Sequence, residues 1–269
     1  MNPVHAKNRW SMMEAAMETD GSKDAGLGSS VQGLHLTVVK HNEDMSQAAA
    51  ERVLAQLAQR PDSVLGLATG GTPVGLYRQL QERKADLSKA ALFNLDEYYP
   101  LPRRHPQSFF QFMKGHVYDP LMPLSYDIPN GEAEDVEREC TRYETAIRSA
   151  GGIDLQVLGV GRNGHIGFNE PGTPFTSRTR IVALKRETME DNARFFGDIG
   201  LVPKRAITMG IGTILEARSI LLLASGAAKA EALYQLLKGD VSPDVPVTAL
   251  RLHPSVHVIA DEQAASLLE

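Results

Sequence analysis

Short apolar runs alternate with helix-like segments along most of this 269-residue chain. Leu34–Val39 is typical of a strand, and in the segment after it apolar residues recur every fourth position, the spacing of one helix face, at Met45, Ala49, Val53 and Leu57. Further strand candidates lie at 64–68, 92–95, 155–159, 207–210, 220–224 and 256–260. Several are apolar on both faces, as expected where helices cover both sides of a parallel sheet. The pattern predicts an α/β fold, Rossmann-like, with an open, mainly parallel sheet and helices on both faces.

The first 34 residues differ in kind from the rest. They mix methionines with acidic residues and then become rich in glycine and serine. Such a segment buries too little apolar surface to offset its ordering entropy. We therefore expect a flexible N-terminal tail at residues 1–34, followed by a single catalytic α/β domain at 35–269. An artefact of cloning or of the start site is the alternative, and composition does not separate the two.

The composition also indicates which binding partners and which cellular compartment to expect. The formal net charge is −5, and no basic patch indicates a nucleic-acid partner. Cys140 is the sole cysteine, which permits neither an internal disulfide nor a cysteine-based metal cluster and favours a reducing, cytoplasmic setting. No apolar stretch is long enough to span a bilayer, and the first residues lack the apolar core of a signal peptide, so we expect no membrane partner.

A glycine turn follows the second strand candidate. The sequence runs from the strand through Thr69, Gly70, Gly71, Thr72 and Pro73 into a helix-like segment. We expect Thr72 to cap that helix and Pro73 to occupy its first position. Paired glycines let backbone amides approach a ligand, and a helix start adds partial positive charge, so we predict an anion site, most simply for phosphate. The alternative, favoured by the two glycines alone, is an ordinary strand-to-helix turn; a nucleotide P-loop is excluded because no Gly-Lys-Ser/Thr follows.

A second loop follows the strand candidate at 155–159. Residues 159–164 match GxGxxG, but Pro171 prevents a long helix here and no acidic residue ends a second strand about twenty positions on, so a dinucleotide fold is not expected. His165 and Glu170 remain, with Asn163 beside them. A carboxylate bonded to one imidazole nitrogen fixes the tautomer and leaves the other nitrogen free to exchange protons. An incidental His and Glu pair is the alternative, and without a third ligand at helical spacing we expect no metal site.

Two adjacent acids, Asp96 and Glu97, follow the strand candidate at 92–95. Adjacent carboxylates repel each other, which favours raising the pKa of one of them and would suit a general base. A solvated acidic turn is the alternative. His105 to Phe110 then opens a helix that we expect to form a wall or lid over the site.

Eight motifs, taken together and in their order along the chain, indicate the function more strongly than any one of them alone. They are ATGGTP at 68–73, FNLDEYY at 93–99, HPQSFFQFM at 105–113, GRNGHIGFNEPG at 161–172, SRTR at 177–180, DNARFF at 191–196, AITMGIGTILEAR at 206–218 and SGAAKAEAL at 225–233. Together they closely resemble the glucosamine-6-phosphate deaminase family, over residues 36–261. The resemblance implies conversion of D-glucosamine 6-phosphate to D-fructose 6-phosphate and ammonium in amino-sugar catabolism, with no metal or organic cofactor.

The resemblance also implies roles for individual residues. Asp96 would move a proton between C2 and C1 of the opened sugar through an enolamine-like intermediate. His165 would open the ring by proton transfer at the ring oxygen, with Glu170 orienting it. The positions that match those holding the substrate phosphate are Gly70, Gly71, Thr72, Arg194 and Lys229. The expected partner is thus a small sugar phosphate, and the resemblance leaves a monomer and a homo-oligomer open.

Two departures limit the resemblance. Some members have an aspartate where this chain has Asn163; the amide cannot carry charge, so His165 should be less biased toward imidazolium. Larger members are hexamers activated by N-acetylglucosamine 6-phosphate. Arg180 matches one effector contact, but Val182 stands where a lysine helps bind the effector, and few residues follow Asp261. We expect little or no allosteric activation.

Three other functions are alternatives to glucosamine-6-phosphate deamination. A 6-phosphogluconolactonase would share the fold and the phosphate turn, but it usually lacks the run at Phe168–Pro171 and needs no base like Asp96. A galactosamine-6-phosphate deaminase would differ only in the orientation of one substrate hydroxyl. A sugar-phosphate-sensing domain of a transcription regulator would bind without turnover; the first 34 residues are too short and glycine-rich for its DNA-binding module, and Asp96, His165 and Glu170 together favour catalysis.

Overall fold

The structure, a computed structural model, describes residues 33–268. The predicted tail at residues 1–34 falls almost entirely outside this range, so that prediction is not addressed by the fold. Ten strands form two sheets: β1 (Leu34–Val39), β2 (Val64–Leu67), β3 (Ala91–Asn94), β4 (Asp96–Tyr99), β5 (Ser125–Asp127), β6 (Leu155–Gly159), β7 (Arg180–Ala183), β8 (Arg205–Thr208), β9 (Ser219–Ala224) and β10 (Val256–Asp261).

The larger sheet has seven strands in the order β1-β10-β9-β6-β2-β3-β5, and every neighbouring pair is parallel. From β2 the chain moves outward through β3 to β5, and from β6 it moves outward in the opposite direction through β9 to β10. The strand order therefore reverses between β2 and β6. In open α/β sheets ligands bind beyond the carboxyl ends of the strands at such a switch point, and both glycine-rich loops emerge there.

The helices are α1 (Asn42–Gln59), α2 (Val74–Glu82), α3 (Phe109–Met113), α4 (Asp119–Leu121), α5 (Val136–Ser149), α6 (Arg186–Phe196), α7 (Ile211–Leu215) and α8 (Ala230–Lys238). Residues Lys114–Tyr118 form a π-helical turn between α3 and α4. Alternate residues of the central strands point to opposite faces, and residues of both sets, such as Leu221 and Leu222 of β9, are buried. Both faces are therefore covered, and the predicted α/β class is confirmed.

The largest part of the core lies between the parallel sheet and helices α1 to α3. Met45, Ala49 and Val53 of α1 are fully buried there, which confirms the helix face predicted from their spacing. Leu65 and Leu67 of β2 pack against the same cluster. The core thus fixes the end of β2, and with it the start of the glycine turn.

A smaller, antiparallel sheet holds β4, β8 and β7, in that order. The predicted strand at 207–210 is shifted to Arg205–Thr208 and belongs to this sheet, not to the parallel one. Strands β4, β5 and β7 were not predicted, because runs of three or four residues that include charged side chains carry no clear apolar pattern. Asp96 therefore opens a strand of the small sheet, where the sequence suggested the loop after β3.

Candidate active site

One cavity of about 1050 Å³ lies at the carboxyl ends of β2 and β6. Its volume is at the upper end for small-molecule sites. Seven of the nine predicted site residues line it, namely Gly70, Gly71, Thr72, Asp96, His165, Arg194 and Lys229. Asn163 and Glu170 are absent from the lining and are connected to His165 by the hydrogen bonds described below. The structure thus gathers groups that lie more than 150 residues apart in sequence.

The glycine turn after β2 forms one wall of the cavity. Gly70 has a φ of +94°, a left-handed conformation that favours glycine, and an added Cβ on Gly71 would meet nothing within 4 Å. Helix α2 begins at Val74 with Pro73 as its N-cap residue and no side-chain cap hydrogen bond. The predictions that Thr72 caps this helix and that Pro73 is its first residue were therefore each wrong by one position. Thr72 lines the cavity instead.

Cationic side chains from three other segments line the same cavity. Lys229 precedes α8, Arg194 lies in the last turn of α6, and Arg162 belongs to the loop after β6. Burial lowers the pKa of Lys229, the Asp191 carboxylate opposes that shift, and the neighbouring arginines reinforce it. Arg162 Nε lies 3.6 Å from Asp191 Oδ2. The backbone amides of the turn and these cations together are suited to a dianion.

Asp96 lines the cavity from the first position of β4. Its side chain is only 4% exposed, and within residues 33–268 no hydrogen-bond donor reaches its carboxylate. Burial raises the pKa of Asp96 well above its ordinary value, and the charge of Glu97 raises it further. A nearly buried carboxylate without a partner is poised to accept a proton from a bound ligand.

Glu97 does not share the cavity with Asp96, although the two acids are adjacent in sequence. The two residues are adjacent in a strand, so their side chains point to opposite faces. The Glu97 carboxylate accepts hydrogen bonds from the backbone N–H groups of Tyr98, Phe109 and Phe110, at 2.8, 2.9 and 2.9 Å. Asp96 is therefore the acid of this pair that faces the cavity.

His165 is connected to Glu170 through the amide of Asn163. Asn163 Nδ2 donates to Glu170 Oε2 at 3.1 Å, and Asn163 Oδ1 lies 2.7 Å from His165 Nδ1. A carboxylate can only accept, so the amide nitrogen must face Glu170 and the amide oxygen must face the ring. His165 Nδ1 therefore carries the proton in the neutral ring, and Nε2 keeps its lone pair. The sequence suggested a direct bond between His165 and Glu170, and the structure places the amide between them.

Burial lowers the pKa of His165 below its ordinary value. The carboxylates of Glu170 and Asp191 oppose this shift, while the charge of Lys229 adds to it. The ring also packs against Gly161, where an added Cβ would lie 2.1 Å from Cε1 and 2.4 Å from Nε2. The glycine of the GxGxxG match therefore makes room for an imidazole.

Glu170 is fixed on its other oxygen as well. The hydroxyl of Thr188, a buried residue of α6, donates to Glu170 Oε1, and Asn163 occupies Oε2. The residue is 7% exposed. With both oxygens occupied, Glu170 holds Asn163, and through it His165, in a single orientation.

Several lining or supporting residues were missed in the sequence. Thr188 and Asp191 face the site from α6, and their three-residue spacing on a helix is the signal that could have found them. Ser225 lines the cavity, and its hydroxyl donates to Asp261 Oδ2 at 2.5 Å. The Gly226 N–H donates to the same carboxylate at 3.0 Å. These bonds hold the start of the loop that leads to Lys229, and no local pattern connects residues so far apart.

Residues 40–259 match the family of glucosamine-6-phosphate isomerases and 6-phosphogluconolactonase. This chain belongs to that family. A relative in Clostridioides difficile (strain 630), named glucosamine-6-phosphate deaminase, is 50% identical over 241 residues, which cover 87% of this chain and 97% of the relative.

Solved structures related to this family member fall into two groups. A monomeric glucosamine-6-phosphate deaminase is 47% identical, with a TM-score of 0.83, and the match covers 87% of this chain and 99% of that one. A 6-phosphogluconolactonase from Trypanosoma cruzi is 19% identical, with a TM-score of 0.72, and the match covers 90% and 99% of the two chains. The second likeness shows the shared fold alone.

Within residues 33–268 of this family member, no cluster of three or more His, Cys, Asp or Glu side chains is arranged to hold a metal ion. None of the helices in that range combines the length and apolarity needed to cross a membrane.

Proposed function

We propose that this protein is a glucosamine-6-phosphate deaminase, which converts D-glucosamine 6-phosphate to D-fructose 6-phosphate and ammonium. The observation that carries the proposal is the presence, in one cavity, of the Asp96 carboxylate, the oriented His165 ring, and a glycine turn with cations suited to a phosphate. Relatives of about half identity that bear this name support the same reaction. The lactonase alternative has only fold-level support, because its structures share about one residue in five.

The phosphate of the substrate binds first to the glycine turn. The backbone around Gly70, Gly71 and Thr72 supplies N–H donors, and Lys229 and Arg194 supply charge. These groups come from segments other than that of Asp96, and we assign them substrate binding and no part in bond changes. Their role is to place the sugar carbons beside the proton-transfer groups.

Ring opening is assigned to His165. Its Nε2 lone pair accepts the proton of the anomeric hydroxyl, and the same nitrogen returns a proton to the ring oxygen as the C1–O bond of the ring breaks. The Asn163 oxygen stabilises the transient imidazolium by accepting from Nδ1, and Glu170 fixes the amide. The product is the open-chain aldehyde.

Asp96 then moves a proton from C2 to C1. Its carboxylate takes the C2 proton, the electron pair forms a C1–C2 double bond, and the carbonyl oxygen gains a proton from the substrate ammonium group, which gives an enolamine. Return of the proton from Asp96 to C1 leaves a protonated imine at C2. Water adds to C2, one of its protons passes to the nitrogen, and ammonia leaves and takes the remaining hydroxyl proton as ammonium, with the ketone of fructose 6-phosphate as product. The raised pKa of Asp96 suits the first half, because it makes the carboxylate a stronger base, and the proton taken there is the one returned to C1.

Galactosamine 6-phosphate is the closest competing substrate, since it differs only in the orientation of one hydroxyl. The names of the relatives favour the glucosamine sugar. The decisive experiment measures ammonium release from glucosamine 6-phosphate, with galactosamine 6-phosphate and 6-phosphogluconolactone as parallel substrates. Rapid release from the glucosamine sugar supports the proposal. Binding without release would favour a sensing domain, and lactone hydrolysis would favour the lactonase.

The proposal also includes the cellular location and the oligomeric state of the protein. A cytoplasmic location is supported by the sole, buried cysteine and by a charged substrate that does not cross membranes unaided. A monomer is supported by the solved relative described as monomeric. Size-exclusion chromatography with light scattering distinguishes a monomer from a homo-oligomer.

A further inference from the structure

Glu97 is a buried carboxylate that the proposed reaction does not use. It is 2% exposed and lines a second cavity, of about 350 Å³, on the side of β4 opposite Asp96. Its position directly after Asp96 means that any movement of the Glu97 backbone also moves Asp96. What Glu97 binds therefore bears on the placement of the proposed base.

The Glu97 carboxylate caps helix α3 from a neighbouring strand. Oε1 accepts from the N–H of Phe109 and Oε2 from the N–H of Phe110, both at 2.9 Å. These are the first two residues of α3, whose N–H groups have no acceptor within the helix. Oε1 also accepts from the Tyr98 N–H on β4 itself, at 2.8 Å. One side chain thus ties the strand of Asp96 to the first turn of α3.

Helix α3 is a wall of the active-site cavity. Phe109, Gln111 and Phe112 line that cavity. The ring of Phe109 also contacts that of Tyr98, with centroids 4.6 Å apart. The Glu97 hydrogen bonds and this ring contact therefore both connect the strand of Asp96 to the cavity wall.

Charged and titratable groups surround the two acids on both sides of β4. The groups facing Glu97 come from the turn before α3, from β5 and from α5, and they are Arg103, Asp127, Glu139 and Arg142. Asp127 and Glu139 are paired with Arg142. The titratable or charged residues that line the active-site cavity with Asp96 are Tyr98, His116, Arg162, His165, Asp191, Arg194 and Lys229. Burial raises the pKa of Glu97 to about 7, which its hydrogen bonds and Arg103 oppose, and the charge of Glu97 in turn raises the pKa of Asp96.

We propose that Glu97 is a positioning residue for deamination, which caps α3 from the strand of Asp96 and so holds the Asp96 carboxylate in register with the cavity wall. This inference rests on the proposed function, and it assigns Glu97 no contact with substrate. It predicts that the length of the Glu97 side chain affects kcat, and that its charge affects both kcat and the pH dependence of the reaction.

Two variants and one matched control test the inference. Glu97→Gln keeps the length, but its amide nitrogen faces the Phe110 N–H, so one cap bond and the charge are lost. Glu97→Asp keeps the charge but is too short to reach both helix amides. Glu139→Gln is the control, because Glu139 is also buried, lines the same second cavity and accepts a backbone N–H, from Asn130 at 2.8 Å, but lies on α5.

We expect kcat to fall about 10-fold to 100-fold in both Glu97 variants, because a small misplacement of a reacting group is costly. KM should stay within about threefold, because the phosphate groups lie elsewhere. Only Glu97→Gln should move the acidic limb of the pH profile of kcat/KM toward lower pH. It removes the negative charge that raises the pKa of Asp96, whereas Glu97→Asp keeps that charge. Glu139→Gln should leave kcat and the limb unchanged.

The outcomes separate this inference from the proposed function. Absence of ammonium release by the native protein would overturn both. An active native protein in which either Glu97 variant keeps native kcat, or in which Glu139→Gln loses as much as Glu97→Gln, would overturn the positioning role alone. If Glu97→Gln fails to fold, kcat of Glu97→Asp decides.

Discussion

His165 Nδ1 and Glu170 Oε2 lie 3.8 Å apart, beyond hydrogen-bond distance, and the Asn163 amide lies between them. A neutral amide transmits orientation but no full charge. The ring is therefore held in place while its pKa stays below the ordinary value. This relationship leads directly to the first prediction.

Asn163→Asp should raise the pKa of His165. The new carboxylate would lie beside Nδ1 and stabilise the imidazolium, while its repulsion from Glu170 would favour a proton shared within the group. Titration of the histidine ring signals by NMR measures this, with the other histidines as internal reference. An identical titration midpoint of the His165 ring in the native protein and the variant would contradict the role assigned to the residue at position 163.

Asp96→Asn should lower ammonium release by about 10²-fold to 10⁴-fold, the usual contribution of a general base. Binding of glucosamine 6-phosphate, measured by calorimetry, should be nearly unchanged, because the phosphate groups remain. Exchange of the C2 hydrogen in D₂O should also cease. Asp62→Asn, an exposed site before β2, is the control and should have native activity. Turnover by Asp96→Asn at the native rate would remove Asp96 from the mechanism.

Lys229→Ala should raise KM about tenfold or more, because a hydrogen bond to a charged group is lost. The lost interaction is common to the bound substrate and the transition state, so kcat should change by about twofold at most. Steady-state kinetics on Lys238→Ala, at the end of α8, provides the comparison. A large loss of kcat at constant KM would place Lys229 in the chemistry and not at the phosphate.

Gly161→Ala should lower kcat about 100-fold while the protein stays folded, because the added methyl group would displace the His165 ring. Gly115→Ala is a matched control, since Gly115 lines the same cavity and an added Cβ there meets nothing within 4 Å. Circular dichroism checks the fold of both variants. Equal kcat in the two would show that the ring does not depend on Gly161.

Addition of N-acetylglucosamine 6-phosphate should leave the saturation curve for glucosamine 6-phosphate unchanged. Arg180, which matches an effector contact, donates instead to Asn169 Oδ1 at 2.8 Å and Thr173 Oγ1 at 3.3 Å. Val182 offers no charge nearby. Initial-rate measurements over a range of effector concentrations test this, and a lower half-saturation or a steeper curve would refute it.

Much of the parallel sheet could be predicted because its strands are apolar runs bounded by glycine or polar residues. The glycine turn after β2 was also recognisable, since strand, paired glycines and helix follow one another within about twenty residues. Of the small sheet only β8 was anticipated, two residues too late, and its pairing could not be predicted because β4 and β8 lie more than 100 residues apart. The order of contacts among Asn163, His165 and Glu170 depends on how one loop folds back, which residue spacing does not determine.

The two sheets carry different parts of the proposed reaction. The glycine turn extends from β2 of the parallel sheet, whereas Asp96 belongs to the antiparallel one. In the proposed binding mode a sugar phosphate would span both, with its phosphate at one sheet and its reacting carbons at the other. Substitutions on the smaller sheet would then alter the reaction at the sugar while phosphate binding is kept, which gives a physical reason why one family includes both isomerases and lactonases.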